Sequence, residues 1–320
     1  MTVSVVVPAF NEAKGIKRFH ETLLSPVVEH LSYDCEIVYI NDGSTDDTLA
    51  KLHEIARDDS RVVVVNLSRN FGKEIAITAG IHTSKGDAVI TLDADGQHPP
   101  ELINDFLARW EGGAQIVVGV RQKTKEGGAM KRVGSRLFYS IFNSISDQKL
   151  IPRSTDYRLI DREVVDQFLM LKEHNRITRG LIDWMGYDTE TVEFVASERL
   201  AGTATYSFNQ LLRLAANSVI SLSVKPLVYL VPVGAIVTLM SVLLAVFTLV
   251  ETLVFADPLN LDPTGTAYLT IFITFLIGVV LIVQGILGVY SSHVHSQSQR
   301  RPPFIINSRG SIRCGDNGRP

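Results

Sequence analysis

The sequence predicts an α/β domain on a doubly wound, mostly parallel sheet, followed by an amphipathic helix at a membrane interface and two membrane-crossing helices. Two observations carry this. Over the first 120 residues, short Val- and Ile-rich runs alternate with helical segments. Further on, residues 227–250 and 268–290 contain no charged side chain.

The strand runs are residues 3–7, 36–40, 62–67, 88–92 and 115–120, with helices at 12–31, 46–57, 73–83 and 100–110. Strands alternating with helices argue for parallel βαβ units. In such sheets ligands bind outside the carboxyl ends of the strands. The polar motifs sit there: Pro8-Ala9-Phe10-Asn11-Glu12 after the first strand, Asn41-Asp42-Gly43-Ser44-Thr45-Asp46 after the second, Asp93-Ala94-Asp95-Gly96-Gln97 after the fourth.

Each uncharged stretch is about 23 residues, enough to cross a bilayer core of roughly 30 Å. The competing reading is a pair of buried helices, but neither stretch has a polar face. Arg213 and Lys225 precede the first stretch; Arg300, Arg301, Arg309 and Arg313 follow the second. The connection 251–267 carries Glu251, Asp257 and Asp262 and no Lys or Arg. The positive-inside bias puts both termini and the sheet domain in the cytoplasm, and the chain is expected to be an integral membrane protein. No basic n-region marks a signal peptide at the N-terminus.

The expected organisation is a sheet domain over 1–206, an interfacial helix over 207–225, a membrane hairpin over 226–292 and a cytoplasmic tail over 293–320. Phe208, Leu211, Leu212, Ala215, Val219 and Leu222 share one face of the interfacial helix, with Asn209, Arg213, Asn217 and Ser221 opposite. Two spans per chain could pack into a bundle of identical copies.

Composition excludes several classes. The 320 residues carry a net charge of -3, which leaves no basic surplus for nucleic acid. The two cysteines, Cys35 and Cys314, have neither zinc nor disulfide-framework spacing, and Cys35 reads as a small core residue. No GxGxxG or P-loop string occurs.

The chemistry starts from Asp93 and Asp95. Paired carboxylates at a strand end, with an amide at Gln97, suit a hard divalent cation that shares its shell with substrate phosphates. The plain alternative is that Asp95 caps the helix beginning near Pro99-Pro100. Ser44 or Thr45 could likewise cap the next helix, while Asp42 could accept hydrogen bonds from a base or ribose.

Taken together, the three motifs resemble the family 2 inverting glycosyltransferases in type and order. Leu67-Ser68-Arg69-Asn70-Phe71-Gly72-Lys73, Asp156-Tyr157-Arg158-Leu159-Ile160-Asp161-Arg162 and Arg199-Leu200-Ala201-Gly202 resemble its polyprenyl-phosphate branch. That branch takes in dolichyl-phosphate mannose synthases and phage-type bactoprenol glucosyltransferases. The paired spans followed by Arg301-Pro302-Pro303-Phe304-Ile305-Ile306 resemble the phage type.

The resemblance implies a Rossmann-like GT-A domain and a set of roles. Pro8, Ala9, Phe10, Glu12, Ile40 and Asp42 would line the nucleotide-sugar pocket, joined by Asp93, Ala94, Arg121 and Arg199. Asp93 and Asp95 would be catalytic. Asp95 and Gln97, with Asp93 as a third candidate, would hold Mg2+ or Mn2+. Arg132, Ser135 and Arg199 would face the acceptor phosphate, which arginine forks bind well. The partners implied are a nucleotide-sugar donor (UDP- or GDP-linked), a polyprenyl phosphate acceptor and the membrane; glucose or mannose would be the sugar.

Several positions depart from the pattern. Thr205 stands where the branch carries lysine, Ala204 where it carries serine, Thr155 replaces a glycine and Gly96 a leucine. Two rival functions share the fold. A processive polysaccharide synthase would need a Q/R-x-x-R-W string, and Arg176-Ile177-Thr178-Arg179-Gly180 lacks the tryptophan. An inactive nucleotide-sugar-binding scaffold would not need Asp93, Asp95 and Gln97 together.

Overall fold

A computed structural model of the chain describes residues 1–122, 154–171, 177–196, 265–299 and 301–312, with positions 236, 239, 240 and 243. The chain divides into two compact units. One comprises Met1–Tyr139, Gln148–Phe208 and Arg301–Pro320; the other comprises Ser140–Asp147 and Asn209–Arg300.

The first unit holds a seven-stranded sheet of β1 (Thr2–Ala9), β2 (Asp34–Asn41), β3 (Val62–Asn66), β4 (Ala88–Thr91), β5 (Ile116–Arg121), β6 (Ser154–Asp161) and β7 (Thr189–Phe194). The spatial order is β3-β2-β1-β4-β6-β5-β7. β1 pairs in parallel with β2 and β4, β2 with β3, and β5 with β7. β6 runs antiparallel to both β4 and β5.

β1 to β5 are largely apolar runs because helices cover both faces. Helical segments α1 (Ile16–Arg18) and α2 (Ser25–Glu29) flank a π-helical turn (Phe19–Leu24). These segments, α3 (Thr48–Asp58) and α5 (Leu102–Glu111) bury Phe19, Leu52 and Phe106 against Val3, Val5 and Val7. On the opposite face, α4 (Lys73–Thr83), α6 (Arg162–Met170) and α7 (Thr178–Trp184) bury Ile77, Phe168 and Ile182 against Val6, Val38 and Val118. The period-2 split of β1 between the two cores is the pleat at work.

The five expected strands and the helix at 73–83 occur where the alternation placed them. The helix expected at 12–31 begins later, at Ile16, and its middle is π-helical. β6 and β7 had no counterpart in the periodicity. Within the segment expected as a tail over 293–320, residues 301–312 fold back onto the β3 edge, through bridges of Val64 with Ile312 and Leu67 with Ile306.

In the second unit the described element is α8 (Gly265–Ser298), 34 residues long. It contains the stretch expected as the second span. Among the described residues no helix is long and apolar enough to cross a membrane. The whole sequence beneath the α8 backbone, however, contains no Asp, Glu, Lys or Arg. The interfacial helix and, save the four isolated positions, the first span lie outside the described residues.

Candidate active site

Strand register brings the motifs together. Ala9 pairs with Asn41, and Asn41 with Asn66, so β1, β2 and β3 end level with one another. β4 ends beside them at Thr91. Because β6 is antiparallel, it delivers its beginning to that same edge: Thr91 pairs with Arg158, which sets Asp156 next to the residues that follow β4.

Lys73, the first residue of α4, closes this edge. Its Nζ lies 2.8 Å from Asp93 and 2.8 Å from Asp156. Desolvation among its neighbours opposes the charge of the lysine, which is still partly exposed, but the two carboxylates outweigh it and hold its pKa above the ordinary value. Burial likewise opposes the Asp156 charge, and Lys73 outweighs it, so that carboxyl titrates low. Glu74 accepts from the Thr178 amide at 2.8 Å; burial, then the charge of Asp156, pushes its pKa up. Asp183 receives Arg158 at 2.6 Å in a pair that is almost wholly buried.

The residues after β4 form a compact turn. Asp95 Oδ1 accepts from the Gln97 amide at 3.0 Å, and Arg121 Nη2 donates to Gln97 Oε1 at 3.1 Å. Arg121 Nε is buried and has no hydrogen-bond partner among the described residues. His98 is buried, stacks on Tyr157 and accepts the Asp93 amide at Nδ1, 3.3 Å away. Burial lowers its pKa, in keeping with a neutral ring. Asp95 is not a helix cap: α5 starts at Leu102, its N-cap is Glu101, and no side chain caps it.

The first two loops interlock. The Asn11 amide donates to Ser44 Oγ at 3.0 Å, and the Thr45 amide donates to Asn11 Oδ1 at 2.9 Å. Ser44 and Thr45 therefore serve the loop pair instead of capping α3, where Asp46 accepts from the Thr48 amide at 3.0 Å. Asn11 takes a left-handed φ of 56°, which its short amide side chain tolerates.

Asp42 accepts from the Phe71 amide at 2.8 Å and the Gly72 amide at 2.9 Å, and is 3% exposed. Burial raises its pKa while the two amides oppose that. Its carboxylate thus organises the loop after β3. Gly43 permits this: at φ +64°, a Cβ there would stand 2.3 Å from the Arg69 carbonyl carbon. Arg69 lies over the Phe71 ring, 4.4 Å from its centroid.

Of the residues expected to line a nucleotide pocket, Phe10 is exposed, Pro8 and Glu12 are half-buried, and Ala9 and Ala94 are buried at the same edge. Ile40 is fully buried, and its side chain faces Gly80 on α4 in the core. Arg132, Ser135 and Arg199 lie outside the described residues. Lys73, Glu74, His98 and Asp156 were not singled out from the sequence. Lys73 and Asp156 do stand inside the Phe71-Gly72-Lys73 and Asp156-Tyr157-Arg158 strings, but nothing in their spacing pairs them.

A doubly wound sheet with cations and carboxylates gathered in the crevice at its strand ends is the frame of an α/β enzyme. Residues 4–169 match glycosyl transferase family 2, and the chain belongs to that family. It is 38% identical over 308 residues to a bactoprenol glucosyl transferase of Shigella phage SfV, covering 96% of this chain and 99% of that one. A prophage bactoprenol glucosyl transferase homolog of Escherichia coli K12 is 35% identical over 306 residues, covering 96% and 98%. An uncharacterized glycosyltransferase of Synechocystis is 35% identical over 305 residues, covering 95% and 94%.

Proposed function

We propose that this glycosyltransferase moves a hexose, glucose foremost, from a UDP- or GDP-sugar to a polyprenyl phosphate at the cytoplasmic face of a membrane. The observation that carries the reading is the similarity to bactoprenol glucosyl transferases over nearly the whole of both chains. A processive synthase or an inactive scaffold has no comparable support.

In the proposed step an oxygen of the lipid phosphate attacks the anomeric carbon with inversion. The new C1–O bond forms as the C1–O bond to the nucleoside diphosphate breaks and its electron pair leaves with the diphosphate. The acceptor is already anionic at neutral pH, so positioning and charge stabilisation do the work. Phe10 and the loop over Asp42 would border the nucleotide. Arg121, with a buried Nε still to be satisfied, suits the diphosphate. Arg132, Ser135 and Arg199 are proposed for the acceptor phosphate, Arg199 also for the donor.

The donor set fits a divalent cation in part. Asp95 and Gln97 place a carboxylate and an amide oxygen on one turn, and Mg2+ or Mn2+ commonly takes only one or two carboxylates alongside substrate phosphates. Asp93 is already paired with Lys73, and Gln97 Oε1 accepts from Arg121, a bond that an ion there would replace. Asp95 and Gln97 would hold the ion, which when bound would neutralise charge on the departing diphosphate.

Membrane anchoring belongs to the same proposal. Leu269, Phe275, Ile277 and Val280 are all more than half exposed on a helix with no charged residue. That is costly in water and favourable in lipid. The test is a panel of radiolabelled UDP- and GDP-sugars with polyprenyl phosphate, followed by lipid extraction. UDP-glucose-dependent label in the lipid is expected; label released only as free sugar, or incorporated into polymer, overturns the reading.

A further inference from the structure

We infer that residues 301–312 are a strap that positions the donor pocket, with Asn66 as its relay; this rests on the donor reading above. β3 is an edge strand, and an unpaired edge is normally covered or blunted. Here the covering segment is the chain's own, starting just beyond the end of α8.

The strap is bonded where β3 turns into the loop toward α4. Asn307 N–H donates to the Asn66 carbonyl at 2.8 Å, and Ser68 N–H to the Ile305 carbonyl at 2.9 Å. Asn66 N–H donates to Ser311 Oγ at 3.0 Å. Gly310 lies so close that a Cβ on it would stand 2.5 Å from Asn66 Nδ2. Phe304 meets His82 of α4 edge-on at 5.7 Å and packs on the core beneath.

Asn66 passes this order inward. It is 7% exposed, and its Oδ1 accepts from Asn41 Nδ2 at 2.7 Å, tying β3 to the residue before Asp42. The loop that the strap grips at Ser68 continues to Phe71 and Gly72, whose amides close on Asp42. Midway, at Arg69 and Asn70, it rests on Gly43. One side of the loop is held by the strap and the other by Asp42. An ordinary edge cover would need only β3; this one also grips the loop over the proposed nucleotide site.

The test uses the full-length protein in detergent. Gly310→Val should push the strap from Asn66; Asn307→Pro, at a φ of -86° that proline nearly matches, removes the strap's N–H donor to Asn66 together with the side-chain oxygen that accepts the Arg309 amide, and serves if the valine variant does not accumulate. Amide hydrogen exchange is read at Phe71 and Gly72, whose N–H groups donate to Asp42 and not to the strap, and at α5 as control. Faster exchange at Phe71 and Gly72 with α5 unchanged is expected, with nucleotide affinity weakened about tenfold and the acceptor KM within about twofold. Faster exchange at Ser68 alone, with nucleotide affinity intact, would mean that the strap only covers an edge. The exchange readout needs no ligand. If the wild type binds no nucleotide, the donor reading fails while the strap's hold on the loop is still measured.

Discussion

Lys73 and Asp156 meet at 2.8 Å across the crevice, and the same ammonium reaches Asp93 at 2.8 Å. One cation therefore holds together a carboxylate that follows β4 and a carboxylate on β6. Lys73→Met should leave the two acids facing each other and lower transfer on the order of 10²-fold, while Lys73→Arg, which keeps the charge, retains more. A double cycle of Lys73→Met with Asp156→Asn checks the coupling. Additive losses would show that the pair does not act as a unit.

Asp95 carries the proposed metal role. Asp95→Asn preserves size and removes the charge, so transfer should fall about 10²-fold or more with thermal unfolding unchanged. Chelation of the wild type should do the same and be reversed by added Mg2+ or Mn2+. Near-normal turnover in chelator would remove the ion from the reaction.

Arg158 and Asp183 form a stability element. Their side chains are 2% and 9% exposed, with 2.6 Å between them. Arg158→Met should destabilise by about 3–5 kcal/mol, because it leaves Asp183 buried and uncompensated. Arg158→Met with Asp183→Leu should recover much of that loss. Thermal unfolding of the three variants decides it.

His20 should make the sheet unit acid-sensitive. Burial lowers its pKa below the ordinary 6.5, against the raising pull of Asp59 and Glu21 and with the help of Arg61. Tyr39 Oη lies 3.1 Å from its Nδ1. The unfolded chain therefore takes up a proton near pH 6.5, before the folded one does. Stability from this group is present above pH 6.5 and declines as pH falls toward the folded value. His20→Gln should flatten the fall in unfolding temperature between pH 7.5 and 5; an unchanged slope would assign that fall to other groups.

The orientation of the apolar segments is open to chemical labelling. In a background with Cys35 and Cys314 replaced by serine, single cysteines at Lys14 and Asn260 should differ with an impermeant reagent on intact cells. Position 260 should label and position 14 should not, because Lys and Arg flank the hairpin on one side only. The opposite pattern would invert the proposed topology.

Local rules were enough for much of this protein. The runs that became β1 to β5 are apolar because both sheet faces are covered, and α4 occupies the residues that the alternation predicts. The three strand-end motifs were visible as polar strings after apolar ones, and the family followed from their order. β6 was hidden because Asp156 and Arg158 interrupt its apolar run, and their ion-pair partners, Lys73 and Asp183, are far away in sequence. Spacing could not show that an antiparallel strand would carry Asp156 to Asp93, that Asp42 would bind backbone amides, or that residues 301–312 would return to β3. Sequence by itself determined which segments bury and which chemistry gathers at strand ends, because those follow from periodicity and residue type. Tertiary structure alone decided which charges pair and which loop holds which, because those are contacts between residues distant in the chain.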